Sequence, residues 1–317
     1  MLLVVIGHSS LANAAEQDPE WEVTLYRLGH YFRMQLFMIV SGYLFYFTRL
    51  KSYGLKNDGS EKRWSYFDII KDKAKRLLLP GVVFTFVAFA VKIAFPSEMA
   101  RQTGFSIREI ANAFLFPYDN PFREYWFIAT LFWFFILTPL WKIVLKKEWL
   151  KWLMLAVLVC LHFFHPAMEL LCINLVFGYA IWFYLGVILS EVNFVENFIA
   201  PRSWLVMLIG VAVFVVGLYT TSFITTLGGV LFSFALALIA DKYIPKLFFT
   251  FRNYTYQIFL MGIFAQMFVK IVYRHVEMPY VCAFLLCILF GLYVPVLVSK
   301  IIERLNWRPL KLCVGLK

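Results

Sequence analysis

Charge is scarce in this chain. Only 15% of its 317 residues are Asp, Glu, Lys or Arg, and just 19 are acidic. Soluble globular domains carry nearer a quarter charged residues. The shortage, with 62% hydrophobic residues and a mean hydropathy of +0.75, excludes a water-soluble fold. Five cysteines, Cys160, Cys172, Cys282, Cys287 and Cys313, are scattered without disulfide or metal spacing. The chain has no phosphate-cradling glycine loop, serine-hydrolase elbow or acidic polymerase pair. It has no low-complexity tract and no sizeable soluble domain either.

What remains is a series of apolar stretches near the length of a membrane-crossing helix. The alternating ten-residue segments of a barrel are missing. The fold class expected is an all-α polytopic integral membrane protein with about ten transmembrane helices. They are read at 1–14, 32–48, 77–95, 125–141, 150–165, 170–190, 203–219, 222–240, 247–269 and 279–299, within one domain over 1–317. Trp21, Tyr31, Trp126, Trp141, Trp149, Trp152, Trp204 and Tyr243 near segment ends read as an interfacial belt.

The net charge of +11 could suggest nucleic acid, but the basic residues sit in loops between apolar segments. No nucleic acid is expected as a partner; membrane lipid is. Of the 30 Lys and Arg, one side of the membrane holds Arg27, Arg33, Arg101, Arg108, Arg123, Lys270 and Arg274. Lys92 falls inside segment three, and all the others lie on the opposite side. The positive-inside rule then places both termini in the cytoplasm of a multi-pass protein of the cell's inner (cytoplasmic) membrane. Oligomeric state is not specified.

Segment one is too short to cross about 30 Å at about 1.5 Å per residue. It also lacks a basic flank. A cleaved signal peptide with a small-residue site at Ala12–Ala15 is disfavoured for the same missing charge. The natural start is expected about ten residues upstream.

His8 stands in this apolar segment, within Val4-Val5-Ile6-Gly7-His8-Ser9. An ionisable group there is costly and marks a functional site by default. A neutral imidazole could take a proton from a hydroxyl near neutral pH. Hydrogen bonding to a neighbouring helix is the structural alternative. Phe32-Arg33-Met34-Gln35-Leu36-Phe37 and Ser41-Gly42 follow. Arg33 is a fixed charge that cannot act as a base; His30, three residues earlier, could. Arg33 reads equally as a snorkelling interfacial arginine, and Ser41-Gly42 as a close-packing notch.

Lys71-Asp72-Lys73-Ala74-Lys75-Arg76 precedes Leu77-Leu78-Leu79-Pro80. It reads as a phosphate grip or as a topology signal facing anionic lipid. Arg123-Glu124-Tyr125-Trp126-Phe127 pairs a tryptophan with charges, which suits a sugar or an interfacial anchor. His162, His165 and Glu169 invite a metal reading, but a catalytic zinc site needs three ligands on rigid elements, so no metal is expected.

Together, the glycine–histidine pair, the Phe32–Phe37 run, Ser41-Gly42, the basic stretch before Leu77 and Trp126-Phe127 resemble membrane-bound acyltransferase family 3. Within it, the pattern looks like the fucose 4-O-acetylase-like branch of sugar O-acetyltransferases. Arg33 and Gln35 replace that branch's histidine and proline, and Gly262 follows Asn253–Met261 where the family often has a histidine. The basic residue that the family places about ten positions before the histidine would precede Met1.

The resemblance implies transfer of acetyl from cytoplasmic acetyl-coenzyme A. The acceptor would be a carbohydrate hydroxyl, on a surface polysaccharide or its lipid-linked precursor. His8 would be general base or acyl carrier. Lys73 and Arg76 would hold the donor nucleotide, and Arg33, Glu124 and Trp126 would line the acceptor side. A transporter or flippase for a lipid-linked sugar is the alternative class, though no paired broken helices support it. A degenerate, non-catalytic member is the third.

Overall fold

The computed structural model describes residues 1–11, 18–53, 64–96, 104–246 and 248–316. Among them there is no strand, only an isolated bridge between Tyr53 and Trp64. The helices are α1 (Leu2–Gly7), α2 (Glu20–His30), α3 (Arg33–Phe45), α4 (Tyr66–Lys73), α5 (Leu79–Ala94), α6 (Ile107–Leu115), α7 (Tyr125–Ile136) and α8 (Thr138–Val144). Then come α9 (Glu148–Phe163), α10 (Ile173–Glu191), α11 (Ser203–Tyr219), α12 (Ser222–Tyr243), α13 (Thr255–His275), α14 (Tyr280–Leu305) and α15 (Arg308–Cys313). The chain is an all-α polytopic membrane protein.

Among the described residues six helical runs are long and apolar enough to span, or seven if the bent pair α7–α8 is one span. The other expected segments fall on α1, on α3 with its π-helical extension Tyr46–Leu50, and on α9. Segment one differs most. Its helix stops at Gly7, and residues 12–17, with the proposed cleavage site, lie outside the described residues. Two helices, α2 and α6, form in stretches read as loops. The basic stretch is also helical: α4, a π-helical turn at Ala74–Leu78 and α5 run on as Tyr66–Ala94.

Local chemistry explains several boundaries. Ser106 and Glu109 form a reciprocal capping box at the start of α6. Ser65 accepts from the Asp68 N–H to start α4. The 53° bend between α7 and α8 falls at Pro139, whose nitrogen cannot donate to the Phe135 carbonyl. The Thr138 hydroxyl donates to that carbonyl instead. Trp141 Nε1 donates to the Phe134 carbonyl at 2.7 Å. Trp141 is therefore a core residue, stacked on Tyr184 at 5.6 Å, and not part of an interfacial belt.

The chain packs as two compact units. The first joins Met1–Leu36 to Asn193–Leu316. In it α1 lies against α13 and α14, with Val5 among Phe251, Ile258, Leu292 and Val296. Leu11 packs among Val269, Ala283, Phe284 and Cys287. The second unit is Phe37–Val192. Its core is aromatic: Phe183 lies 4.8 Å from Phe134 and 5.9 Å from Phe45. There α3 and α10 cross on glycines. A Cβ on Gly42 would lie 2.0 Å from the Phe183 carbonyl oxygen, and one on Gly186 equally close to that of Ile39. Ser41-Gly42 is thus a packing notch, as small residues at membrane helix crossings are.

Candidate functional site

His8 is the C-cap of α1, half-buried, with its backbone N–H directed to the carbonyls of Val4 and Val5 at 3.1 Å. It does not sit inside a continuous span, as expected from the sequence, but at the point where the helix ends. Polar clamps fix the chain around it. On one side Gln266 of α13 is fully buried and donates through Nε2 to the Val5 carbonyl (2.8 Å) and to Ser9 Oγ (2.9 Å). Ser9 Oγ donates in turn to the Val5 carbonyl at 2.8 Å. These bonds add side-chain donors to a carbonyl at the helix end that also accepts the His8 backbone N–H. On the other side Asp18 accepts from Ser10 Oγ and from Tyr280 Oη, each at 2.5 Å. Glu22, buried nearby, has its carboxyl pushed above the usual range by burial and by Asp18, with Lys270 acting the other way.

Arg33 approaches the same place from α3. The backbone before it is anchored: Thr226 Oγ1 donates to the Tyr31 carbonyl at 2.7 Å, and the Phe32 ring stands edge-on to Phe214 at 5.8 Å. Only 7% of Arg33 is exposed, so it is no snorkelling arginine. Its Nη2 donates to His30 Nδ1 at 3.5 Å, and the guanidinium lies 5.0 Å from the Tyr26 ring centroid. Its Nη1 occupies the space beside Gly7 where any Cβ would be, 1.6 Å from that ideal position. The glycine before His8 therefore makes room for a cation. Desolvation and the adjacent guanidinium hold His30 below the ordinary histidine range.

The remaining sequence candidates belong to the second unit. Arg76 Nε and Arg49 Nη2 both pair with Asp72, at 2.8 and 3.1 Å. Arg49 also stacks on Trp64 at 3.8 Å. Lys73 turns its ammonium to aromatic faces, 4.4 Å from Phe135 and 5.8 Å from Phe45. Lys56, Lys62 and Arg63, in the loop before this basic stretch, lie outside the described residues. Glu124 is buried at the N-cap of α7, and Trp126 packs on Tyr179 at 5.6 Å, its carbonyl accepting from Thr130 Oγ1 at 2.8 Å. His162 donates from Nδ1 to the Gly178 carbonyl at 2.6 Å and meets Trp182 edge-on. Among the described residues no three His, Cys, Asp or Glu side chains converge as a metal site.

The structure thus packs Arg33 on Gly7, the residue before His8, and sets His30 against the same guanidinium. Lys73 with Arg76, and Glu124 with Trp126, are described within the other unit. Sequence reasoning missed Gln266, Asp18 and Tyr280. A glutamine in mid-span was the available signal for the first, since polar residues in apolar helices mark tertiary partners.

No curated protein and no solved structure matches this chain. The acyltransferase 3 family model, described as an acyltransferase domain, matches residues 1–300. That match runs through both units and includes every site residue above, so this membrane protein belongs to the acyltransferase 3 family.

Proposed function

We propose that the protein is an O-acetyltransferase of the cytoplasmic membrane, with both termini inside the cell. It takes acetyl from acetyl-coenzyme A and places it on a hydroxyl of a surface polysaccharide or of its lipid-linked precursor. The observation that carries this reading is the half-buried His8 at the end of α1, with the Arg33 guanidinium packed on the adjacent Gly7. In the direct route His8 takes the acceptor hydroxyl proton as the oxygen attacks the thioester carbon. The C–S bond breaks, a C–O ester bond forms, and the proton passes to the departing thiolate. In the acyl-carrier route the imidazole nitrogen holds the acetyl between two such transfers. The Arg33 guanidinium, packed on Gly7, is assigned to the acceptor side, where a fixed charge in a poorly solvated site acts strongly.

The test is His8→Ala in the full chain, read as acetyl content of the surface glycan, with membrane insertion checked in parallel. Loss of about 10²–10⁴-fold is expected for an essential base. Activity within tenfold of the parent would sink the assignment. On the donor side, Lys73 and Arg76 are assigned to the nucleotide. Replacing both with Gln should raise the KM for acetyl-coenzyme A and leave the acceptor KM nearly constant. An unchanged donor KM in a correctly inserted double variant would reduce the basic stretch to a topology signal.

A further inference from the structure

The first unit contains a cavity of about 300 Å³, partly open to its surroundings, with almost wholly apolar walls. Ile6, Leu25, Phe32, Val211, Phe214 and Phe232 form most of them. Gly7 and Arg33 also line it, and Arg33 is the charged residue of the wall. That arginine is more than nine-tenths buried, and its Nη1 has no hydrogen-bond partner among the described residues. Its polar neighbour is His30, which accepts from Nη2; the described residues offer it no carboxylate. A buried guanidinium without an anion is strongly disfavoured, and an apolar pocket beside it cannot supply one. The wall itself includes α11 and α12, both long and apolar enough to span a bilayer. Val211 is also 44% exposed, so the cavity meets the surface that lipid would cover.

We infer that this cavity binds a phospholipid of the surrounding bilayer, one acyl tail between α2 and α11 and its phosphate paired with Arg33. Charge complementarity selects the head, and the apolar lining selects the tail. A free anion would leave the walls empty, and a neutral lipid would leave Nη1 without a partner. A guanidinium matches phosphate oxygens in a forked geometry that lysine cannot reproduce.

The experiment uses the full chain, delipidated in detergent, with lipid retention read by native mass spectrometry. Phosphatidic acid and diacylglycerol with identical tails are the probes, since they differ by the phosphate alone. The parent should retain phosphatidic acid about tenfold or more over diacylglycerol, as loss of a charge-assisted hydrogen bond predicts. Arg33→Gln should abolish that preference. Val211→Trp, made at an exposed position, should fill the cavity and lower retention of both lipids, and it keeps the test open if the arginine variant does not fold. Equal retention of the two lipids by the parent would overturn the inference. So would a preference that survives Arg33→Gln, or full retention in Val211→Trp. A polyprenyl phosphate co-purifying in place of a phospholipid would overturn the phospholipid as the occupant. The readout is binding, so its failure leaves the assignment of His8 standing, and loss of transfer without His8 leaves the lipid site standing.

Discussion

The contact between Gly7 and Arg33 gives the glycine–histidine pair a physical meaning. Gly7→Ala adds one methyl group where Nη1 lies, and the obstructing atom is the end of a long side chain. The fold should survive while the guanidinium is displaced. We expect a melting temperature close to the parent's and a transfer rate lower by about tenfold, the cost of one misplaced charge-assisted bond. Parent-like transfer would show that the cation's position is irrelevant. His30 provides a pH test of the same cluster. Its folded pKa is depressed, so its contribution is present above the unfolded value of about 6.5 and is lost as pH falls through the folded pKa. Below that point Arg33 would face a second cation. Thermal stability measured from pH 7.5 downward should fall in the parent, and His30→Gln should flatten that part of the curve. The rarity of charge in apolar sequence made His8 and Arg33 legible. The partners were not, because Gln266 and Val5 are 261 positions apart and only tertiary packing joins them.

Helices were legible wherever the apolar run was long, and every expected segment contains one. The misses have two physical sources. α2 and α6 are short and amphipathic, so hydropathy averages them into loops; the Ser106–Glu109 capping signature was the readable sign of α6. π-helical turns such as Ala74–Leu78 carry helix through the charged stretch, and charge alone suggests a loop there. The α3–α10 crossing makes an element-scale prediction. Gly186→Leu meets backbone atoms of Ile39 and Tyr43, which no rotamer change can move. It should destabilise by about 1–3 kcal/mol or more, read as a lower melting temperature in detergent. Gly29→Ala, with nothing within 4 Å of the new methyl, should leave the fold intact and raise stability by about 0.4–1 kcal/mol. Equal effects at the two positions would mean that the crossing tolerates separation.

For the whole molecule, orientation in the membrane is the property that loop charge predicts. A reporter inserted at Lys147, in the turn between α8 and α9, should read cytoplasmic, and one at Gly104 external. The reverse pair would invert the protein and place His8 toward the cytoplasm. The order of synthesis adds a constraint of another kind. Met1–Leu36 and Asn193–Leu316 form one compact unit, yet the whole second unit is made between them. The clamp on Val5 comes from Gln266, so at about 5–20 residues per second α1 waits roughly 13–50 s for its partner. Throughout that interval the Val5 carbonyl lacks the Gln266 side chain that later clamps it, so α1 stays without its final neighbours. Within this unit, the segment that carries His8 is made before the helices that hold it and is among the last parts to become native. Truncations that stop before α13 should therefore leave α1 open to protease even when the helices of the second unit are already protected.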